Sequence, residues 1–287
     1  MSIAPGEVKP GQPLAGMAPA LLGAIVMHPA QQAIFERILK LIGWLRACDE
    51  PSDYDQFQRH LFGDIHQTEE RRYKCNQAIK RLRSHKAVPA DAIDLFGVAD
   101  PTNVAAWQFE LFMHERLARQ LRCVGDALAW RCYRYDRPAI IALSRNDSPG
   151  PMYNKAGLPY ELGRVEEIWK DDGHFALLHD LTNCLRIADL SEIVPGGMTW
   201  LREIKAKPHT DSRQMARAQA AIDATFSDGP IPESDARFVQ LDTPFRTSIS
   251  SLRDCIQLAK QRGAQGMKLS QGRARDYIAR RGPTTMV

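Results

Sequence analysis

The hydrophobic period of this chain changes once, and that change restricts the possible folds more than any other feature. From Gln31 to about Tyr135 apolar residues recur at helical spacing. Ile34, Ile38, Leu41 and Leu45 follow i, i+4, i+7, i+11, the stripe of an amphipathic helix. A second helix is expected to open at Thr68-Glu69-Glu70, with Cys75, Ile79 and Leu82 on one side. Its other faces carry Arg71, Arg72, Lys74, Lys80, Arg81, Arg83 and Lys86. A third runs from about Asn103 to Arg122, with a shorter helix around Val124–Tyr133. No strand signal interrupts, so residues 31–145 read as an all-helical domain. Residues 1–30, crowded with proline and glycine, read as an irregular lead-in.

The stretch 146–157 holds prolines, glycines and asparagines and is the expected linker between domains. Beyond it the pattern mixes helix and strand. Leu158, Leu162, Val165 and Trp169 form a helical stripe, and Phe175–Asp180 is a short apolar strand. Cys184–Val194 alternates, Pro195-Gly196-Gly197 turns, and Thr199–Lys205 alternates again. Asp211–Phe226 is helical, Arg237–Asp242 a strand and Ser248–Arg262 helical. The order αβββαβ over 158–262, followed by a basic tail over 263–287, makes the fold class mixed α/β behind an all-helical domain. A length of 287 residues accommodates two domains, and 44% apolar residues supply real cores.

Several function classes drop out. No apolar run approaches the roughly 18 residues of a membrane span. The longest, Ala18–Met27, is broken by Pro19 and Gly23, and the preceding segment offers only Lys9 against Glu7, a poor basic start for a secretory signal. The six cysteines form no C-x-x-C pair, which points to reduced thiols in a cytoplasmic protein. Phosphate-loop, zincin and nucleophile-elbow motifs are missing. Net charge is a mild +4, but residues 158–252 are acidic between two basic segments.

Chemistry concentrates in that acidic segment, on the hairpin Ile187-Ala-Asp189-Leu … Glu203-Ile-Lys205. Alternate strand residues share a face, so Glu203 and Lys205 point the same way. A three-residue turn at 195–197 places Asp189 directly across from Glu203, whereas a two-residue turn puts them on opposite faces. Two carboxylates and an ammonium on an otherwise apolar strand face carry a large desolvation cost unless something compensates. A divalent cation does so, and two carboxylates with waters and phosphate oxygens are the usual Mg²⁺ ligand set. Asp180, 23 residues before Glu203 against 14 for Asp189, is an alternative upstream ligand. His179 reads as a core or supporting histidine.

With Asp189, Glu203-x-Lys205 and the αβββαβ order, residues 158–242 resemble the PD-(D/E)xK, restriction-endonuclease-like nucleases. Leu178–Asp189 is also similar to a stretch in bacterial proteins of that type. Ala188 stands where the family name has proline. The resemblance implies a hydrolase of phosphodiester bonds, expected to be an endonuclease on DNA, with Asp189 and Glu203 binding Mg²⁺ or Mn²⁺. Lys205 would position the attacking water. It further implies an acid from the first core helix, and Glu161, with Glu166 second, lies beside that helix's apolar stripe. A glutamine on the second core helix is also implied, and Gln219 falls within the apolar face of Met215, Ala218, Ile222 and Phe226.

Arg71, Arg72, Lys74 and Arg81 before the acidic segment, and Lys207 and Arg213 within it, are the expected phosphate contacts, against the plainer reading of a solvated face. The helical domain is the expected place for a homodimer contact or a protein partner. The alternative to a nuclease is an inactive nuclease fold that binds nucleic acid or another protein, and its mark, a missing Asp, Glu or Lys, is not found here.

Overall fold

The computed structural model describes residues 19–144, 149–195 and 199–204. It also describes positions 216, 217, 219–221, 223, 258, 261, 264–268 and 274–278. The chain divides into two compact units, Met1–Phe238 and Val239–Val287. The first is mostly helical. Its helices are α1 (Pro19–Met27), α2 (Pro29–Ala47), α3 (Pro51–Arg83), α4 (Ala90–Phe96), α5 (Val104–Cys132), α6 (Arg137–Ala142) and α7 (Leu158–Asp172). Three short strands follow, β1 (Phe175–Leu178), β2 (Leu190–Ile193) and β3 (Thr199–Arg202), in one antiparallel sheet of order β1-β2-β3. Positions 216, 217, 219–221 and 223 are helical.

The helical expectation for the first half needs three corrections, each with a physical cause. The lead-in contains α1, because Ile25 is buried and packs with Phe112 and Met113. The prolines that punctuate the sequence start helices rather than break chain, at Pro29 in α2 and Pro51 in α3, where the missing N–H costs nothing. The second helix opens at Pro51, not at Thr68, with Glu50 and Asp53 forming its capping box. Thr68 instead donates within the helix to the Asp64 carbonyl, and Glu69 turns inward. The third and fourth expected helices are one, α5. Gly125 inside it is no break: a Cβ there would sit 1.9 Å from the Leu181 carbonyl oxygen, so glycine allows that backbone to lie against the helix.

The segment expected to separate two domains lies inside the first unit. One buried cluster runs from Leu41, Phe57 and Ile65 through Leu121 and Leu128 to Leu158, Phe175, Leu177 and Leu185. The largest buried cluster is therefore shared by helices and sheet, while two smaller ones, around Trp107 and around Met113, lie among helices alone. Gln58 of α3 makes the connection at backbone level. Its amide donates to the Ala176 carbonyl (2.8 Å) and accepts from the Leu178 N–H (2.9 Å), filling the outer edge of β1 as a neighbouring strand would. On the other face α7 packs Val165 and Ile168 against Ala176 and Leu190.

The strands are shorter than the alternation suggested. Of the expected strand 184–194 only Leu190–Ile193 pairs, because Asp126 holds the preceding backbone in a loop. Its carboxylate accepts the N–H groups of Asn183 (2.6 Å) and Cys184 (2.9 Å). Strand 237–242 lies outside the described residues, as does helix 248–262 apart from helical positions 258 and 261. The second unit contains β4 (Ala264–Lys268) paired antiparallel with β5 (Ala274–Ile278), so the basic tail is not simply an arm. Among the described residues no helix is long and apolar enough to cross a membrane. Cys48, Cys75, Cys123, Cys132 and Cys184 are free thiols, and Cys255 lies outside the described residues.

Candidate metal centre at the end of the sheet

Strand register brings the hairpin acids toward each other. Leu190 pairs with Arg202 and Ile193 with Thr199, and one further step of that register sets Asp189 opposite Glu203. This is the register of the three-residue turn. The pairing continues into the pair itself: Asp189 N–H donates to the Arg202 carbonyl (3.0 Å), and Asp189 Oδ2 accepts the Ile204 N–H (2.6 Å). The Asp189 carboxylate thus grips the backbone that carries Glu203. Both acids are half-buried.

Ala188, just before Asp189, has φ of +70°, a left-handed conformation that side-chain-bearing residues rarely adopt. A proline, locked near φ −65°, could not occupy this position.

The first helix of the sheet region contributes Glu161. It lies in the first turn of α7, shares the buried stripe with Leu158, Val165 and Ile168, and is only 2% exposed. Lys155 Nζ sits 2.8 Å from its Oε1 and 3.1 Å from its Oε2, and 2.7 Å from Asp180 Oδ2. Burial pushes the Glu161 carboxyl above the usual glutamate range. The Lys155 ammonium pulls it back, while the charges of Asp189 and Asp180 push it further up. Burial also works against the Lys155 ammonium, but its hydrogen bonds to Asp180 and Glu161 prevail and hold its pKa above the ordinary value. Glu166, the second choice on α7, is exposed and pairs instead with Arg59 (3.6 Å) and Lys170 (3.6 Å).

Two buried groups from the helices fix the backbone around this cluster. Arg122, 2% exposed, donates to Glu69 Oε1 (2.6 Å), the Asp180 carbonyl (3.0 Å) and the Gly150 carbonyl (3.1 Å). The other Glu69 oxygen accepts the N–H groups of Met152 (2.5 Å) and Tyr153 (3.0 Å). Asn154 then turns the chain through a left-handed φ of +64°, and Lys155 follows. His179, beside Asp180, faces a separate network. Its Nε2 meets Ser191 Oγ (2.6 Å), which meets Tyr133 Oη (2.6 Å). Burial lowers the His179 pKa to about 4, so the ring is neutral.

The remaining expected site residues fare differently. Lys205, Lys207 and Arg213 lie outside the described residues. Gln219 is exposed rather than set in an apolar face, and donates to Asp223 Oδ1 one helical turn on (2.8 Å). Ala221 is the buried residue of that turn, while Met215, Ala218, Ile222 and Phe226 are outside the described residues or without described side chains. On α3, Arg72 pairs with Glu115 (3.4 Å) and Lys74 with Glu70 (3.0 Å), and Arg81 donates to the Ala87 carbonyl (2.7 Å). Arg71 is half-buried. Three of these four basic residues thus have partners within the chain, as on an ordinary solvated helix face.

Asp172, His174 and Glu192 bring one ligand atom each to within 4.8 Å of one another. Glu192 there is already engaged by His174 Nδ1 (3.0 Å) and by Arg202 Nη2 (2.7 Å), and strand alternation turns it to the face opposite Asp189. Its carboxylate thus has cationic and hydrogen-bonding partners inside the protein.

Lys155 has no signature in the sequence. It belongs to the breaker-rich stretch, and the long-range Glu69 and Arg122 contacts help carry it to Glu161. Asp180 was separable from Asp189 as a ligand candidate, but the structure places both within electrostatic reach of Glu161. Carboxylates of this kind suit a hard divalent cation, which takes oxygen ligands. Gly157 adds room: a Cβ there would lie 3.2 Å from Glu161 Oε1, so the glycine keeps the space beside that oxygen open. No family model, curated protein or solved structure matches this chain.

Proposed function

We propose that this chain is a divalent-metal-dependent nuclease that hydrolyses phosphodiester bonds, with DNA as its substrate and Mg²⁺ or Mn²⁺ as its cofactor. The observation that carries the proposal is the β2–β3 register, which sets Asp189 opposite Glu203 while the buried Glu161 lies within reach of Asp189's charge. Asp189 and Glu203 would hold the metal, with Glu161 as the third acid. The bound cation supplies charge stabilisation at the phosphate and a more acidic water.

The chain's own residues then have distinct tasks. Asp189 fixes the backbone at Ile204 through Oδ2, which keeps Glu203 in register. Lys205, two residues after Glu203, orients the attacking water and offsets charge on the phosphate oxygens. Glu161 adds negative charge from the sheet's flank, and its burial makes electrostatic interactions there strong. The core elements α7, β1, β2 and β3 follow the αβββ order of the nuclease family that the sequence resembles.

The test uses circular and linear DNA, single- and double-stranded, with Mg²⁺, Mn²⁺ or EDTA. The wild type is expected to nick circles with metal and to be silent in EDTA. Lys205→Ala is expected to lose at least about 10²-fold in rate with an unchanged circular dichroism spectrum. Undiminished cleavage by that variant, or cleavage that survives EDTA, would sink the assignment.

A further inference from the structure

We propose that Lys155 is a resident counter-ion of the carboxylate site, displaced when a divalent cation binds, so that ammonium and metal are alternative occupants of one place. The inference rests on the metal-dependent reading of the same acids and concerns what fills their field before metal arrives.

The geometry favours competition. Lys155 Nζ lies within hydrogen-bond distance of both Glu161 oxygens and of Asp180 Oδ2. A cation coordinated by Glu161 would need an oxygen that the ammonium now holds. At contact distances of 2.0–2.6 Å such an ion cannot share that space with the ammonium. Two carboxylates also share this one ammonium, and the Asp189 charge reaches Glu161 as well. A doubly charged ion at the same place therefore gains more Coulomb energy than a single positive charge.

The scaffold permits the exchange. The Lys155 backbone is fixed: its N–H donates to the Met152 carbonyl (3.0 Å), and Met152 and Tyr153 are held by Glu69. The side chain is 32% exposed and carries a flexible four-carbon stem, so it can swing to solvent without moving the chain. Glu161, 2% exposed on α7, stays where it is. The ammonium thus keeps the acids in place in the metal-free protein, as the price of weaker metal binding.

The test measures Mn²⁺ binding to the metal-free full chain by the loss of the free-ion electron paramagnetic resonance signal. Lys155→Met is expected to bind Mn²⁺ about tenfold more tightly than the wild type. In the wild type, Mn²⁺ is expected to increase acetylation of Lys155, read by mass spectrometry, several-fold over the metal-free protein. The labelling arm needs no variant and stands even where Lys155→Met fails to fold. Equal or weaker binding by a folded Lys155→Met, or labelling that Mn²⁺ leaves unchanged or lowers, overturns the exchange. If Asp189→Asn abolishes Mn²⁺ binding while Lys155→Met changes nothing, the metal reading stands and only the exchange fails. If neither wild type nor Lys155→Met takes up Mn²⁺, both fail.

Discussion

Two groups of buried charges lie within a few residues of each other in this fold, and they are built on opposite plans. Between α3 and α5, Glu69 and Arg122 form a closed pair. One Glu69 oxygen takes the guanidinium and the other takes two backbone N–H groups, while Arg122 also donates to the Asp180 and Gly150 carbonyls. At the end of the sheet, Glu161 and Asp180 share a single ammonium with a third acid nearby. The first arrangement uses up its charges on the protein. The second sets two carboxylates against one ammonium, an arrangement that suits exchange with an external cation under the proposed function. Placing the two in contact lets the closed pair hold the open one rigid, since both backbone segments that carry Lys155 and Asp180 end on Arg122 or Glu69.

The largest effect that can break this comparison is on stability, and its sign should differ between the two groups. Arg122→Met leaves Glu69 buried without its counter-charge and should cost about 3–5 kcal/mol. In urea denaturation of the metal-free protein that appears as a lower midpoint with the slope little changed. Glu161→Gln should be neutral or stabilising, because burial and two neighbouring acids disfavour its charged form and the Lys155–Asp180 pair survives. Equal losses for the two variants would mean that the open cluster is as structural as the closed pair.

How much of this was legible in the sequence follows the same division. The hairpin acids could be found because strand alternation and turn length are local, and Asp189, Glu203 and the register between them all follow from a dozen neighbouring residues. Glu161 was accessible for a similar reason, as a carboxylate at a helical spacing that coincides with a buried stripe. The closed pair was not accessible. Glu69 looked like a helix start and Arg122 like a helix end, because a capping pattern and a buried ion pair use the same residue types. Gly125, one turn on from Arg122, admits the Leu181 carbonyl at a distance no side chain allows. These contacts join residues more than fifty positions apart, and no period records them. The missed continuity of α3 and α5 has this one cause.

Acid titration sharpens the contrast on a smaller scale. His179 adjoins Asp180, yet its ring belongs to the neutral chain of Ser191 and Tyr133, and burial depresses its pKa to about 4 from an ordinary 6.5. Between those values the unfolded chain binds a proton that the folded protein refuses. Its stability contribution is thus complete above pH 6.5 and is lost as pH falls toward 4. The expected slope is up to about 1.4 kcal/mol per pH unit from this group. His114, depressed by burial to about 3, acts in the same direction. His179→Asn should therefore show a shallower loss of stability between pH 6.5 and 4.5 than the wild type. An unchanged slope would mean that His179 takes up its proton as readily in the folded protein as in the unfolded chain, which overturns the neutral network.

The smallest effect concerns the backbone that presents Asp189. Ala188 holds a left-handed φ of +70°, which costs an alanine roughly 1–2 kcal/mol. Glycine removes that cost, but its freer unfolded chain returns roughly 0.5–1 kcal/mol. Ala188→Gly should therefore stabilise the protein by only about 0.5 kcal/mol in urea denaturation. The informative quantity is what accompanies that gain. The strained residue sits between the loop fixed by Asp126 and the strand that pairs with β3, so its φ sets the angle at which the Asp189 carboxylate meets the Ile204 N–H. If the strain serves that aim, Ala188→Gly gains stability and weakens Mn²⁺ binding together. A gain in stability with Mn²⁺ affinity unchanged would show that Asp189 is aimed by its own hydrogen bonds and that the conformation of Ala188 only follows from loop closure.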